Sequence, residues 1–495
     1  MRNRPVTLGS YFLAAVGGGL TPLGLAPFDL LPLTVIGLAT LAWLLYRHPR
    51  ANYLLSFIFG TGLYLAGSSW VYVSIVNFGT LPAPLAALAT LGFALFVAIF
   101  FALPFALLPR LHRNSSQFVS AFALVWLLGE WLRSWWLTGF PWLYSGYSLT
   151  DSWLASYAAV GGVYLLSALL AAAAATLALL SQLTPKQRRL HLLVGAAVVL
   201  FALPLDRIEW TQAEGDRLSV ALVQPDVDQS IKWSRAARLA ILQKLESASE
   251  SLWGHDLIVW PEAAVPAIAQ SVPEFLSRMD QRARAEQSAL ITGIPNYQRR
   301  TDSYYNSMLG LGQAEGLYNK VQLVPFAEYI PLQSLLGPLL AIFELPMESM
   351  AYGNRQQAPL SLNQLKLAPA ICYEIAYPDL VARQARSSGA VLTVSNDAWF
   401  NHTIAPKQHL QMAQLRAREV GKPVIRATNN GISALIGRRG ELLAEAPQYQ
   451  FATLSGTVQP RSGTTPFGRT GAAPWVIAAL LICAILAWRN RRIAK

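Results

Sequence analysis

Long apolar runs fill both ends of this 495-residue chain, and a stretch of mixed polarity lies between them. A helix needs roughly 20 consecutive apolar residues to cross a hydrocarbon core about 30 Å thick. Eight runs approach that length and predict eight membrane spans, of which the second, seventh and eighth are short. The predicted spans lie at about 8–27, 30–46, 53–73, 84–108, 117–138, 153–182, 190–205 and 473–488.

The central stretch follows a different pattern. Short apolar runs alternate with amphipathic helical segments, which is typical of an α/β domain whose sheets are covered by helices. The runs 423–427 and 432–437, joined by TNNG, predict a hairpin and therefore a mixed sheet. The predicted strands are 218–224, 257–260, 289–293, 305–311, 365–372, 390–395, 423–427 and 432–437, and the predicted helices are about 234–253, 273–287, 377–388 and 405–420.

These patterns divide the chain into an α-helical membrane domain and an α/β domain outside the membrane. We expect seven spans in residues 1–205, the α/β domain in 206–472, and the last span with a basic tail in 473–495. Apolar residues make up 53% of the chain and charged residues 13%, which excludes an ordinary soluble protein of this length.

Lysine and arginine in the short loops predict the orientation. Thirteen of them precede the first predicted span or follow the second, fourth, sixth and eighth, whereas the opposite loops near 28–30, 74–83 and 139–152 carry none. Both termini are therefore expected in the cytoplasm and the α/β domain on the other side. Residues 206–473 hold 25 basic and 24 acidic residues, so the net charge of +12 reflects topology and predicts no nucleic-acid partner.

Only one of the two cysteines, Cys372, lies outside the predicted spans. A lone thiol in a domain outside the cytoplasm is a liability unless it has a function, so Cys372 is a candidate nucleophile. Cys483 lies within the last span and is expected to be a small buried apolar residue.

Two further groups complete a candidate triad with Cys372, which ends the strand LKLAPAIC. Glu262 follows the strand LIVW, and Lys320 precedes the apolar stretch VQLV. A thiolate attacks a carbonyl, a carboxylate moves the proton and an ammonium stabilises the oxyanion. Each residue also has an ordinary structural interpretation: a glutamate opening a helix, a lysine in a solvated turn, a cysteine in the core.

Metal and nucleotide chemistry have no support in the sequence. The six histidines are scattered without ligand spacing, and there is no phosphate-binding glycine loop and no paired CxxC. We therefore expect no metal and no cofactor.

The sequence motifs around the candidate triad resemble those of a known family. WPEAA, YNKVQLVPFAEYIP and ICYE resemble the Glu–Lys–Cys motifs of the carbon–nitrogen hydrolase (nitrilase) superfamily. Together with the multi-span N-terminal half, and with VQPDVDQSIKW, VSNDAWF and RAREVGKPVIRATNNGIS, nearly the whole chain resembles the bacterial apolipoprotein N-acyltransferase family. The resemblance implies a nitrilase-like αββα sandwich for the α/β domain.

The resemblance also implies roles for individual residues. Glu262 would be the base and acid, Lys320 the transition-state stabiliser and Cys372 the nucleophile. Glu328 matches a supporting glutamate, Tyr373 and Glu374 follow the nucleophile as in the family, and Trp233 matches an aromatic residue near the substrate entry. Ala327 replaces an expected glycine, which would shift the loop carrying Glu328 if that position needs a positive φ.

The implied reaction is the last step of lipoprotein maturation. An acyl chain would move from a phospholipid, with phosphatidylethanolamine as the implied donor, to a thioester on Cys372. The N-terminal amine of a diacylglyceryl-cysteine apolipoprotein would then take the chain, in a ping-pong mechanism. The family places such an enzyme in the bacterial inner membrane among membrane lipids, with the catalytic domain in the periplasm and both termini in the cytoplasm, and implies a monomer.

Two alternatives remain open from the residues alone. A membrane-anchored amidase would use the same triad with water, although one anchoring helix would suffice for it. A transporter or scaffold with an outer sensory domain would need more ionisable residues in the spans than Glu130 and Arg133. That pair is expected either to form an ion pair or to hold a lipid headgroup.

Overall fold

A computed structural model describes residues 5–79, 81–331 and 349–492. The chain forms two compact units, one from Met1–Tyr72, Pro82–Ile208 and Thr470–Lys495 and the other from Val73–Leu81 and Glu209–Arg469. The described helices are α1 Leu8–Leu20, α2 Leu31–Arg47, α3 Asn52–Gly67, α4 Trp70–Phe78, α5 Ala83–Ala102, α6 Leu108–Leu111, α7 Ser115–Leu132, α8 Ala158–Ala178, α9 Pro185–Arg207, α10 Gln229–Lys232, α11 Arg235–Ser249, α12 Pro273–Ala285, α13 Pro378–Ala385, α14 Ala405–Val420, α15 Pro466–Thr470 and α16 Ala473–Arg492.

The first unit is helical and apolar. Within the described residues, four helical segments are long and apolar enough to cross a membrane: Ala83–Leu111, Trp153–Ala178, Pro185–Arg207 and Ala473–Arg492. A fifth span is possible if Leu31–Arg47 and Pro49–Gly67, which are bent by 112° at their junction, count as one. Large apolar side chains such as Leu193 and Phe201 lie exposed on α9, as a lipid-facing helix requires.

The expectation of eight spans is not confirmed, because several apolar runs form helices that are shorter or broken. The first predicted span becomes the 13-residue helix α1 followed by a 3₁₀ turn. The third divides near Ser68, between α3 and α4. Apolar composition marks a membrane-embedded stretch well, but it does not show where the helix within it ends.

Glu130 and Arg133 are both buried. The ion pairs found in the described part of the chain do not include one between these two side chains. Oε1 of Glu130 accepts hydrogen bonds from Trp126 Nε1 and from the backbone N–H of Ser145, both at 2.9 Å. Arg133 donates to the carbonyl of Trp142 at 3.1 Å and lies against the ring of Tyr144. The expected direct ion pair is therefore absent between these two described residues, and each side chain has its own hydrogen-bond partners.

The second unit contains two large sheets and a small one. Its strands are β1 Thr211–Ala213, β2 Leu218–Gln224, β3 Leu257–Val259, β4 Ala289–Gln298, β5 Ser303–Gly312, β6 Ala314–Glu315, β7 Leu317–Asn319, β8 Leu360–Leu362, β9 Leu365–Ile371, β10 Ala390–Ser395, β11 Val424–Thr428, β12 Ala434–Ile436, β13 Leu442–Glu445, β14 Ala452–Val458 and β15 Arg461–Gly463. The largest sheet has the strand order β13-β12-β11-β10-β9-β8-β6, the second has β14-β2-β3-β4-β5-β7, and in the small sheet β1 pairs with β15.

The predicted α/β organisation is confirmed. Buried residues from both large sheets, such as Leu222 and Leu392, share one core, while α11 and α12 pack on the outer face of the six-stranded sheet. The helices α13 and α14 cover the other sheet. The predicted hairpin is present, because β11 and β12 pair antiparallel with Val424 opposite Ile436. Strands β9 and β10 run parallel, so their carboxyl ends meet at one edge.

Candidate active site

Cys372 lies where β9 ends and a short 3₁₀ turn, Cys372–Ala376, begins. Its backbone has φ 52°, in the left-handed region that non-glycine residues rarely adopt. Burial raises the pKa of the thiol, the nearby Glu262 carboxylate raises it further, and Lys320 opposes both. The resting group is therefore a neutral thiol that needs a base when it attacks.

Glu262 lies just beyond β3, with its side chain 9% exposed. Its Oε1 accepts a hydrogen bond from Asn306 Nδ2 at 2.8 Å and lies 3.4 Å from Lys320 Nζ. Its Oε2 accepts from the backbone N–H of Asn396 at 2.8 Å. These partners hold the carboxylate in one orientation beside the thiol whose pKa it affects.

Lys320 follows β7 and is almost fully buried, with its side chain 1% exposed. Its Nζ lies 2.9 Å from the carboxylate of Glu328 and thus contacts two carboxylates. Burial alone would lower the pKa of this ammonium, but Glu328 and Glu262 outweigh burial and raise the pKa above its usual value. Lys320 is consequently a permanent positive charge near Cys372, the candidate nucleophile.

The structure brings together Glu262, Lys320, Glu328 and Cys372, which lie in separate segments of the sequence. It also adds Asn306, a residue that the sequence reasoning missed. The Asn306 amide donates to both Glu262, at 2.8 Å, and Glu328, at 2.9 Å, so it bridges the two carboxylates. The only indication in the sequence was a polar residue inside the apolar strand run at 305–311.

Glu374, two residues after Cys372, binds backbone N–H groups of two segments. Its buried carboxylate accepts hydrogen bonds from the backbone N–H groups of Ile371 at 2.7 Å, Val321 at 2.6 Å and Gln322 at 3.0 Å. Burial raises its pKa to about 7 despite these donors. Glu374 thereby connects the segment after Lys320 to the turn that contains Cys372.

The remaining sequence candidates are Tyr373, Trp233 and Ala327. Tyr373 is largely buried, with its ring edge-on to Tyr377 at 5.1 Å between centroids. Trp233 is 48% exposed at the end of α10. In the loop before Glu328, Phe326 rather than Ala327 has the positive φ, 65°, so the alanine causes no backbone strain there.

Lys232 is a second lysine near the thiol that the sequence analysis passed over. It ends the short helix α10, is 2% exposed, and donates from Nζ to the backbone carbonyl of Glu262 at 3.2 Å. Burial lowers its pKa to about 8, although the charges of Glu262 and Cys372 act in the opposite direction. It thus supports the turn that carries the candidate base.

The arrangement suits acyl transfer through a thioester. A buried thiol lies beside a carboxylate that can take its proton and a lysine that can stabilise negative charge on a carbonyl oxygen. Within the described ranges, no group of three or more histidine, cysteine, aspartate or glutamate side chains is placed to hold a metal ion.

Comparisons with known families cover both units. Residues 17–176 match the family model described as the apolipoprotein N-acyltransferase N-terminal domain, and residues 219–466 match that of the carbon–nitrogen hydrolases. The second match shows that this part of the chain has a nitrilase-like fold, as the sequence motifs predict.

Full-length relatives point the same way. An apolipoprotein N-acyltransferase of Azotobacter vinelandii is 43% identical over 96% of this chain and 94% of its own length. One of Pseudomonas syringae pv. tomato is 43% identical over 95% of each chain, and one of Vibrio vulnificus is 38% identical over 97% of each.

Among solved structures, Saccharomyces cerevisiae Nit3, a member of branch 10 of the nitrilase superfamily, matches with a TM-score of 0.38 and 20% identity over 50% of this chain and 93% of that one. An amidase from Nesterenkonia sp. AN1 in complex with butyramide matches with a TM-score of 0.35 and 17% identity over 53% and 96%.

Proposed function

The chain belongs to the apolipoprotein N-acyltransferase family and is an acyltransferase; from that premise we propose that it moves an acyl chain from a phospholipid, through Cys372, to the N-terminal amine of a diacylglyceryl-cysteine apolipoprotein. The observation that carries the proposal is the meeting of Glu262 and Lys320 at the one cysteine of the second unit. Phosphatidylethanolamine is the proposed donor, as the family resemblance implies.

In the first half-reaction, Glu262 takes the thiol proton as Cys372 attacks the ester carbonyl of the phospholipid. Lys320 carries a positive charge that is close enough to Cys372 to oppose the rise in pKa of its thiol. In the proposed mechanism this ammonium stabilises the oxyanion of the tetrahedral intermediate. The ester C–O bond then breaks, Glu262 returns the proton to the leaving alcohol, and a lysophospholipid departs from an acyl-enzyme thioester.

In the second half-reaction, the neutral amine of the acceptor attacks the thioester carbonyl. Glu262 takes a proton from the amine and returns it to the departing thiolate, so the enzyme regains its starting state. The burial of Glu262 and Lys320 supports attack by the amine over hydrolysis, because a site shielded from water protects the thioester.

Mass spectrometry of intact protein purified from membranes tests the proposal. We expect an acyl adduct on Cys372 whose mass gives the donor chain, and loss of the adduct when a diacylglyceryl-cysteine peptide is added. Release of the acyl chain to water as a free fatty acid, in place of its transfer to the peptide, would favour an amidase. An unmodified Cys372 after incubation with phospholipid would contradict the thioester.

Steady-state kinetics provide an independent test. Both substrates need the same thiol in turn, so double-reciprocal plots at several acceptor concentrations should give parallel lines, as expected for a ping-pong mechanism. Intersecting lines would indicate a complex with both lipids bound at once.

The topology is part of the proposal. Both termini and the basic loops would lie in the cytoplasm and the catalytic unit in the periplasm, with the enzyme in the inner membrane. Residues 1–205, 206–472 and 473–495 would be the membrane, catalytic and anchoring parts. The distribution of basic residues supports this orientation, and lipid substrates would arrive from the adjoining leaflet.

A further inference from the structure

A buried charged cluster lies on the carbonyl side of Cys372 and contains none of the triad residues. Asp397, His409 and Arg426 are all fully buried. Oδ1 of Asp397 lies 3.0 Å from His409 Nδ1, and Oδ2 accepts a hydrogen bond from the Arg426 guanidinium at 2.8 Å. Despite burial, Arg426 and His409 hold the pKa of Asp397 below its usual value, so it is an anion.

The histidine of this cluster contacts the backbone of the nucleophile. Its Nε2 lies 3.1 Å from the carbonyl oxygen of Cys372. A carbonyl oxygen only accepts hydrogen bonds, so Nε2 carries the hydrogen in this contact. The contact falls on the residue with φ 52°, a conformation that persists only when the surroundings enforce it.

The carbonyl of Cys372 shares its peptide plane with the backbone N–H of Tyr373. In a trans peptide the two groups point in opposite directions. A bond that fixes the carbonyl toward His409 therefore fixes the Tyr373 N–H toward the other side of the turn. On the proposed mechanism, the oxyanion forms beside the cysteine, where a backbone N–H aimed at it would stabilise its charge.

We propose that His409 is a positioning residue: by holding the Cys372 carbonyl, it aims the N–H of Tyr373 at the oxyanion, and Asp397 and Arg426 hold the histidine ring. This inference rests on the proposed function. Ser395 links the cluster to the thiol as well, since its Oγ lies 2.6 Å from Asp397 Oδ1 and 3.4 Å from Cys372 Sγ.

Two substitutions of His409 separate its two bonds. In His409→Gln, the side-chain amide replaces Nε2 and keeps a donor for the Cys372 carbonyl, whereas in His409→Asn it replaces Nδ1 and keeps a donor only for Asp397. Full-length wild type and both variants are mixed with excess phosphatidylethanolamine in detergent, and the rate of acylation of Cys372 is followed by mass spectrometry. His255→Gln is the matched control, at a histidine whose Nδ1 lies 2.8 Å from the carbonyl oxygen of Leu252.

We expect His409→Asn to acylate about 10²-fold more slowly than His409→Gln, the lower end of the loss seen when one oxyanion donor is removed. The phospholipid concentration giving half-maximal rate should be unchanged, because the donor acts in the transition state. Equal acylation rates in the two variants, together with equal decreases in melting temperature, would mean that His409 only contributes to stability. That result would overturn the inference.

If His409→Asn does not fold, the variant Asp397→Asn tests the same chain of contacts. Asp397→Asn should slow acylation in the wild-type background but add little in the His409→Gln background, because the link it breaks is already gone. Fully additive losses would contradict the proposed chain of contacts. A wild-type enzyme that forms no acyl adduct would instead refute the proposed function, so the two failures are distinguishable.

Discussion

At the level of single residues, the two cysteines offer the simplest contrast. Cys372→Ser should lose nearly all acylation, because a serine hydroxyl is far less ionised than a thiol and its ester is a poorer acyl donor to an amine. Cys483→Ala should stay close to wild type, since Cys483 lies partly buried in α16, within the membrane-spanning part. The measurement is the single-turnover rate of acylation in each variant. A serine variant with the wild-type rate would exclude Cys372 as the nucleophile.

Lys232 predicts a pH effect on stability. Its pKa is about 8 in the folded protein against an ordinary value of 10.5, so between about pH 8 and pH 10 the unfolded chain binds the extra proton. The free energy of unfolding then rises with pH, by up to about 1.4 kcal/mol for each unit of pKa difference. Lys232→Met removes this contribution, so the melting temperature of wild type minus that of the variant should increase from pH 8 to pH 10.

The control for this measurement is Lys244→Met, at an exposed lysine on the neighbouring helix α11. Its melting temperature should differ from that of wild type by the same amount at both pH values. A constant difference for Lys232→Met as well would mean that its ammonium is not destabilised by burial.

Glu262 and Cys372 of the candidate triad were predictable from the sequence because each lies at the end of an apolar strand, where α/β folds gather functional groups. Lys320 was singled out by the apolar stretch that follows it and by the family motif. Asn306 and Lys232 were not predictable in the same way. Asn306 lies inside a strand, and its importance comes from two carboxylates that only the fold brings within reach. Lys232 resembles any lysine on a short polar helix until its burial is known.

Among the elements, the contact between β4 and the turn of Glu262 leaves no room for a side chain at Gly293. A Cβ on Gly293 would lie 2.4 Å from the carbonyl oxygen of Pro261 and 2.6 Å from the backbone nitrogen of Ala263. Both neighbours are backbone atoms that cannot rotate away. Gly293→Ala should therefore lower the melting temperature, as overpacking by about 1–3 kcal/mol does, and slow acylation by displacing Glu262.

Gly195→Ala is the matched control, because no atom lies within 4 Å of a Cβ at that exposed position in α9. Alanine in a helix is favourable by about 1 kcal/mol relative to glycine, so this variant should be as stable as wild type or more so. Wild-type acylation in Gly293→Ala would show that the turn of Glu262 tolerates displacement.

The strands of the second unit were more predictable than the helices of the first. All eight predicted strands are present, because buried strands carry compact apolar runs between turn residues. The pattern misses β14, which alternates exposed and half-buried residues against β2 and contains Gly456. The apolar runs of the first unit have no comparable internal boundary, so their breaks at places such as Ser68 were not foreseen.

For the molecule as a whole, orientation in the membrane follows from charge and not from fold. The positive-inside rule counts lysine and arginine in short loops, and all thirteen such residues fall on one side of the predicted spans. The predicted side of the catalytic unit depends on the number of crossings, since one crossing more or fewer before residue 206 would move it to the other side. A measurement of the side occupied by each loop therefore tests the orientation.

Cysteine labelling provides that measurement. In full-length protein carrying Cys372→Ala and Cys483→Ala, we place single cysteines by Ser181→Cys, in the loop before α9, and by Gln450→Cys, before β14; both positions are exposed. An impermeant maleimide added to intact spheroplasts should react with the cysteine at position 450, and with that at position 181 only after lysis. The reverse order would place the thiol in the cytoplasm, where a phospholipid donor and a lipoprotein acceptor would have to reach it from the inner leaflet.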